Sequence, residues 1–381
     1  MDINSCFCKR IIFKKNAIEE LYNYLRFIFP AQRVLLLSTP LPMEKFGEQI
    51  INTIKKSKNN FNICTLKSTT DKNNIQKLKK IIKEIEIIVA FGSGKLCNIA
   101  KQVATETNCK LIVIPSQITS IFPFVNYYSP QEDSIIYKKS IIPQKIILDE
   151  KILLSATKQS FNELKIYVSC FAEILIENEL QNFKGQALIN NFELKNILTK
   201  NALLNEWSED EKLSAIDLTI ELSYLMQNIS PNKIGLNNFA KMLEQQFPQK
   251  PFYELLLISA KVLSTALKKV FEQNKICLMF PNYENIAQLI LSLKITPQMQ
   301  KKKIFFENVL DSYQLTYKIN KFKHDLFIFS NLVINNFLIN KKNITDIQTD
   351  DCLNNLKILP FIFENNFAID MLAVSGLLNF K

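Results

Sequence analysis

The stretch that decides the fold is EIEIIVAFGSGKLCNIAK, residues 84–101. Its first half is rich in β-branched and apolar residues, which predicts a strand over Glu84–Phe91. The end of that strand is continuously apolar, so we expect both of its faces to be buried, as in a parallel sheet. Gly92 and Gly94 follow the strand, and a helical apolar period then predicts a helix over Leu96–Thr105. The stretch therefore predicts a strand, a glycine turn and a helix.

The same alternation extends to both sides of this stretch. The other predicted strands are Arg10–Phe13, Val34–Leu37, Asn62–Leu66 and Leu111–Ile114, and the other predicted helices are Asn16–Ile28, Glu44–Lys56 and Asn73–Ile82. Asn16 is expected to cap its helix, because its side chain can accept from an N–H of the first turn. Strands and helices that alternate in this way favour a parallel sheet covered by helices on both faces.

The pattern changes after about Asp149. Strand signals fade, and long helical periods interrupted by prolines continue to the end of the chain. We therefore predict a Rossmann-like, nucleotide-binding α/β domain with a parallel sheet over residues 1–157. An all-helical domain is predicted over residues 158–381.

The composition is that of an ordinary globular chain, because 47% of the residues are hydrophobic and 22% are charged. The longest apolar stretches, such as Leu326–Ile339, are shorter than the roughly 20 residues of a membrane span. The N-terminus has no apolar run behind a basic start, so we expect no signal peptide. The eight cysteines form no CxxC pairs, which favours reduced thiols and a cytoplasmic location.

The formal charge of +11 raises the question of a nucleic-acid partner. The chain has only three arginines, Arg10, Arg26 and Arg33, although arginine is the usual residue for forked contacts to phosphates and bases. Lysine runs such as Lys77–Lys83 are interleaved with apolar residues, as on solvated helix faces. A bias toward Lys, Asn and Ile explains the charge, and we expect no nucleic-acid partner.

The glycine turn is a candidate phosphate site. A phosphate can lie against backbone N–H groups only where no Cβ intervenes, and glycine also permits a positive φ. The dipole of the following helix favours an anion, and Lys95 could add a positive charge. The alternative is a tight turn at a strand–helix junction, because the third glycine of the full dinucleotide fingerprint is missing.

Several motifs surround this turn in a fixed order. They are Arg10–Phe13 with Ala17–Leu21, Gly92-Ser93-Gly94-Lys95, Asn98-Ile99-Ala100-Lys101, Pro115-Ser116 with Thr119-Ser120, Ile146-Ile147-Leu148-Asp149 and Phe367–Leu372. In order and spacing the chain resembles the glycerol-1-phosphate dehydrogenase and glycerol dehydrogenase group. That group has the dehydroquinate synthase-like fold of the iron-containing alcohol dehydrogenases. The resemblance covers nearly the whole chain and is weakest in the middle of the helical region.

The resemblance implies that NAD or NADP binds on the glycine turn, with a small phosphorylated ligand nearby. It assigns the cofactor contacts to Thr39, Gly92, Ser93, Gly94, Lys95, Asn98, Thr119 and Ser120. Four positions depart from the family pattern. Ser93 replaces a glycine, Asn98 an aspartate, Thr39 an acidic residue, and Ile121 an aspartate that helps to hold the substrate. Asn98 can still donate and accept hydrogen bonds, so dinucleotide binding remains possible.

The resemblance also implies a divalent metal, usually zinc, held by one aspartate and two histidines and polarising the substrate hydroxyl. This chain has one histidine, His324, which matches no family ligand. The family ligand positions are occupied by Glu173, Asn238 (or the adjacent Asn237) and Phe252. We therefore expect no metal. A rebuilt site around Cys170 and Glu173, which share a helix face, is the alternative.

Three functions remain open. The first is a catalytically impaired or inactive homologue that still binds a dinucleotide, as a binding or regulatory subunit. The second is an active metal-independent oxidoreductase on a phosphorylated polyol or ketone, whose positive charge would come from Lys95, Lys101, Lys138 and Lys139. The third is a non-enzymatic scaffold that uses its basic surface to bind an acidic partner. No catalytic residue is assigned in any of them, and a homo-oligomer is possible by analogy with the relatives.

Overall fold

The computed structural model describes residues 9–69, 73–130, 137–171, 174 and 191–228, and a set of positions between 240 and 259. The chain divides into two compact units. One contains Met1–Val168 and Leu203–Ser230, and the other contains Ser169–Ala202 and Pro231–Lys381. The predicted nucleotide-binding and helical domains, divided between residues 157 and 158, stay a prediction. Residues 158–168 belong to the first of the two compact units, together with residues 1–157.

A parallel sheet of six strands forms the core of the first unit. Its strands are β1 (Ile11–Lys14), β2 (Val34–Ser38), β3 (Phe61–Thr65), β4 (Ile87–Gly92), β5 (Lys110–Pro115) and β8 (Lys145–Asp149). They lie in the order β1-β8-β5-β4-β2-β3, and every pair is parallel. Two short strands, β6 (Tyr127–Tyr128) and β7 (Lys138–Lys139), pair antiparallel apart from it. The predicted parallel sheet is confirmed.

Helices cover this sheet and continue after it. They are α1 (Glu19–Asn23), α2 (Pro40–Lys56), α3 (Asn74–Ile81), α4 (Gly94–Thr107), α5 (Glu150–Leu154), α6 (Lys158–Ser169), α7 (Asn191–Leu203) and α8 (Glu209–Leu225). A π-helical turn, Tyr24–Ile28, extends α1, and 3-10 turns lie at Ile82–Glu84 and Met226–Asn228. Within the described ranges, no helix has both the length and the apolar character that a bilayer crossing requires.

The two faces of the sheet carry different helices, because successive strand residues point to opposite sides. Val34 and Leu36 of β2 pack in one buried cluster with Ile50 and Ile54 of α2. The alternate residues of β2 pack on the other side, in a cluster that contains Leu78 of α3 and much of α4. Helices α2 and α4 therefore lie on opposite faces of the sheet.

The strand order reverses its direction between β2 and β4. From β2 the chain passes through α2 to β3 on one side, and from β4 it passes through α4 to β5 on the other. In open α/β sheets the crevice at such a switch point, at the carboxyl ends of the strands, is where ligands bind. The starts of α2 and α4 flank this point.

The predicted cap of the first helix is wrong. Asn16 has a left-handed backbone with φ of 55°, and α1 begins after Ile18, which makes no side-chain cap. The backbone N–H of Ile18 instead donates to Oδ2 of Asp149 at 3.2 Å, and Ile152 N donates to Oδ1 at 3.3 Å. One buried carboxylate thus stabilises the starts of both α1 and α5. A local sequence pattern does not show this partner, which lies 131 residues away.

Several predicted boundaries shift by a few residues. Helix α2 begins at Pro40, four residues before the predicted start, because proline is well suited to the first helical position. Strand β4 begins at Ile87, because residues Ile82–Glu84 form a 3-10 turn. Helix α4 begins at Gly94, so the second glycine of the turn belongs to the helix.

Candidate functional site

The predicted cofactor residues come together at the carboxyl edge of the sheet. Thr39 directly follows β2, and Ser93 directly follows β4. Pairing of Ser38 with Phe91 places these two strand ends side by side. On the other side of β4, the N–H of Ser116 donates to the carbonyl of Gly92 at 2.9 Å, which joins the loop after β5 to the same edge.

The two glycines allow close packing at this edge. Neither glycine has a positive φ. A Cβ on Gly92 would lie 2.5 Å from Cδ2 of Leu96, and a Cβ on Gly94 would lie 2.9 Å from Oγ of Ser120. Both distances are shorter than carbon atoms tolerate, so the absence of a side chain lets α4 and the loop after β5 approach the strand end. The positive φ that glycine permits is not used.

The first turn of α4 lacks a side-chain cap. Ser93 is its N-cap, with an extended backbone (φ −74°, ψ 174°), and its hydroxyl makes no hydrogen bond to the turn. The first helical bond runs from Cys97 N to the Ser93 carbonyl at 3.0 Å. A helix start of this kind directs N–H groups and the positive end of the helix dipole toward an anion. Helix α2 likewise starts after Thr39 without a side-chain cap.

The side-chain amide of Asn98 makes two hydrogen bonds to the backbone of Ser129. Its Nδ2 donates to the Ser129 carbonyl at 2.6 Å, and the Ser129 N–H donates to its Oδ1 at 2.7 Å. The side chain therefore binds the end of the loop that follows β5. Its direct contact with a cofactor stays a prediction, as do the contacts assigned to the other seven residues.

Lys101 lies one turn further along α4 and is fully buried. Its Nζ donates to the carbonyls of Phe122 and Val125, and to that of Tyr127 at 3.4 Å. Burial lowers the pKa of Lys101 to about 7, and it raises the pKa of the neighbouring Cys97 thiol to about 12. The ammonium has three donors for these three acceptors, so it is held by the protein and does not face solvent.

Helix α6 also contacts the loop at the carboxyl edge of the sheet. The sequence did not indicate this contact. Oγ of Ser160 donates to Oε1 of Gln117 at 3.0 Å, which joins α6 to the loop after β5. Burial raises the pKa of the Glu163 carboxyl, while a hydrogen bond from Gln159 and the charge of Lys95 act in the opposite direction. Glu163 is thus an acidic group that interacts electrostatically with the lysine of the glycine turn.

The structure describes one of the three predicted metal-ligand positions, and the residue there cannot bind a metal. Of the three positions, Glu173 and Asn238 lie outside the described residues, and so does His324. Phe252 is described, and its phenyl ring offers no donor atom to a cation. Within the described part of the chain, no cluster of three or more His, Cys, Asp or Glu side chains could hold a metal ion. Cys170 is buried, and the alternative site that it would form with Glu173 stays a prediction.

Comparison with known proteins bears on the fold. The family profile of the iron-containing alcohol dehydrogenases matches residues 12–156, which include the whole parallel sheet except its first residue. The three solved structures described in the next paragraph align with 69% to 97% of the chain. The fold is that of an iron-containing alcohol dehydrogenase. No curated protein sequence matches the chain.

Three solved structures illustrate the likeness to the iron-containing alcohol dehydrogenase fold. Maleylacetate reductase from Rhizobium sp. is 12% identical, with 97% of this chain and 94% of that chain covered and a TM-score of 0.55. A probable glycerol dehydrogenase from Sinorhizobium meliloti is 13% identical, with 96% of each chain covered and a TM-score of 0.51. An iron-containing alcohol dehydrogenase from Thermotoga maritima is 11% identical, covering 69% of this chain and 79% of its own, with a TM-score of 0.55. Identities this low establish the fold alone.

Proposed function

We propose that this chain is a glycerol-1-phosphate dehydrogenase-like protein that binds NAD or NADP and does not perform metal-dependent hydride transfer. It is a catalytically impaired or inactive homologue that acts through the bound dinucleotide. The observation that carries the proposal is the start of α4. That helix begins at the switch point of the sheet, directly after a glycine turn and without a side-chain cap.

The chain's own residues would hold the dinucleotide at two helix starts. The pyrophosphate would accept hydrogen bonds from the first turn of α4, and Lys95 would add a positive charge beside it. Thr39, at the start of α2 on the neighbouring strand, would meet the next part of the nucleotide. When bound, the nicotinamide ring supplies hydride chemistry; the protein supplies binding and orientation.

The loss of metal chemistry rests on the encoded ligands. A catalytic zinc takes three protein ligands, and the family set has two imidazoles. This chain encodes one histidine, and Phe252 occupies a ligand position. Of the lysines considered as substitutes for the metal, Lys101 is buried and bonded to three carbonyls, whereas Lys138 and Lys139 are exposed on β7. The metal-independent enzyme is therefore the weaker proposal.

Replacing Ser93 by aspartate tests the proposed phosphate site. An aspartate N-cap accepts from the first-turn N–H groups, so the Ser93→Asp helix should be as stable as the wild type or more stable, by up to about 1 kcal/mol. The same carboxylate would repel the pyrophosphate from that position. We expect NADH affinity, measured by nucleotide fluorescence, to fall at least about tenfold while the melting temperature holds or rises, because 1.4 kcal/mol is tenfold.

Ser208→Asp is the matched control. Ser208 is the N-cap of α8 and accepts from Glu211 N, and α8 follows neither a strand nor a glycine turn. The same substitution there should leave NADH binding unchanged. Equal binding by wild type and Ser93→Asp would reject this position for the phosphates. No saturable binding of either NADH or NADPH to the wild type would reject the proposed function.

A further inference from the structure

We propose that Asn98 and Lys101 are positioning residues that hold the loop over residues 116–129 against the glycine turn. Through this loop they keep Thr119 and Ser120 in contact with Gly94. The consequence for nucleotide affinity rests on the proposed function, whereas the holding of the loop does not. This role differs from the cofactor contact that the family resemblance assigns to Asn98.

The two side chains lie on one face of α4. They are three residues apart, the spacing at which helix residues are neighbours. Asn98 exchanges two hydrogen bonds with the backbone of Ser129, as a neighbouring strand would do. Lys101 binds three carbonyls of the same loop, at Phe122, Val125 and Tyr127. Together they bind both the middle and the end of the loop.

Because Lys101 is fully buried, its ammonium group depends on the hydrogen bonds that the loop carbonyls accept. Transfer of an ammonium out of water is strongly unfavourable unless its donors are matched. Here three N–H groups meet three carbonyls of one loop, none of which is in α4. A fourth loop carbonyl, that of Phe124, accepts from Nε2 of Gln227 at 3.2 Å. Apart from β6 and a turn in which Phe124 N and Val125 N donate to the Ile121 carbonyl, the loop has little regular structure, and these side chains bind four of its carbonyls.

Thr119 and Ser120, near the start of the loop, lie against the glycine turn, whereas Ser129, the partner of Asn98, lies at the end of the loop. Ser120 Oγ accepts from Phe122 N at 3.4 Å, so the contact with Gly94 and the first carbonyl bound by Lys101 lie within one short segment. If that segment moves away, a gap opens between Gly94 and Ser120. Thr119 and Ser120 would then shift relative to the start of α4.

Lys101→Met tests this role, because methionine keeps the length and apolar stem and removes the donors. The matched control is Lys165→Met. Lys165 is also buried, and it donates to the carbonyl of Leu204 and to Asn205 Oδ1, outside the loop. Hydrogen exchange over residues 116–129 and NADH affinity are measured for both variants and the wild type. We expect at least tenfold faster exchange of the loop and at least fivefold weaker NADH binding in Lys101→Met only.

Loss of stability alone does not produce this result, because Lys165→Met should also lower the melting temperature without affecting loop exchange or affinity. Unchanged loop exchange in Lys101→Met overturns the proposal. So does faster exchange of the loop with unchanged NADH affinity. If the wild type binds no dinucleotide, the proposed function fails, and the exchange rates alone support or overturn the holding of the loop.

If Lys101→Met does not fold, the pair Asn98→Asp and Asn98→Leu replaces it. Aspartate keeps the acceptor for Ser129 N, whereas leucine removes both hydrogen bonds. We expect loop exchange to increase in the order wild type, Asn98→Asp, Asn98→Leu. Equal exchange in all three proteins overturns the proposal.

Discussion

A side chain at Gly94 would collide with Ser120 in the loop after β5. The Gly94 backbone allows alanine, because its φ is not positive, so only the contact with Ser120 opposes a Cβ. We predict that Gly94→Ala lowers the free energy of unfolding by about 1 to 2 kcal/mol through overpacking. Urea unfolding of the wild type and the variant measures this change.

Gly47→Ala is the control for helix propensity. A Cβ at Gly47 would lie 3.0 Å from Cε of Met43, the end of a flexible side chain, and alanine is the better helix former. That variant should be neutral or more stable. In a Ser120→Ala background the cost of Gly94→Ala should shrink by about 0.5 kcal/mol or more, as expected for residues in contact. Identical costs in the two backgrounds would show that Ser120 is not the obstacle.

For single residues, the sequence predicts which positions are important better than it predicts the structural role of each. The glycine pair was predictable from its place between a buried strand and a helix. The reason for the glycines is different from the expected positive φ, because the atoms that exclude a Cβ belong to Leu96 and to a loop 26 residues further on. Asp149 was recognised as part of a motif, but its hydrogen bond to Ile18 joins distant parts of the chain. Contacts of this kind need the fold.

Among the elements, α6 changes the electrostatics of the glycine turn. Its Glu163 interacts with Lys95 and has a raised pKa because it is partly buried. The ionised carboxylate offsets the positive charge that a phosphate would meet. As pH falls through the raised pKa the carboxyl becomes neutral, so nucleotide affinity should increase toward lower pH.

We predict that Glu163→Gln binds NADH more tightly than the wild type at pH 8 by about two- to fivefold, the range of a partly screened charge. The advantage should shrink as pH falls through the raised pKa of the wild-type carboxyl, because that carboxyl then becomes neutral. Calorimetric titration at low salt and several pH values measures both effects. Glu193→Gln, on an exposed position of α7, should change neither. A constant advantage at every pH would exclude titration of Glu163 as the cause.

Strands and helices of the sheet region were predictable because each carries its own apolar pattern. The runs in β2, β4 and β5 are buried on both faces and were continuous in the sequence. Boundaries moved by a few residues where capping or a 3-10 turn intervened. The contribution of α6 was not predictable. Its hydrogen bond to Gln117 and its electrostatic interaction with Lys95 depend on how the chain returns to the sheet edge after β8.

At the scale of the whole molecule, the iron-containing alcohol dehydrogenase fold is present without an encoded set of the expected metal ligands. The sheet, its switch point and the family profile over residues 12–156 agree with the predicted fold. The ligand deficit was visible in the sequence, because a single histidine cannot supply two imidazoles. Two of the three ligand positions, Glu173 and Asn238, lie outside the described residues, so what they bind stays a prediction.

We propose that this fold binds a dinucleotide without using a metal. This proposal is tested by titrating NADH and NADPH into protein treated with a chelator and into protein supplied with Zn²⁺ or Fe²⁺. We expect saturable binding of at least one nucleotide, with the same affinity in both preparations. Binding that requires the metal, or nucleotide oxidation that appears only when the metal is present, would contradict it.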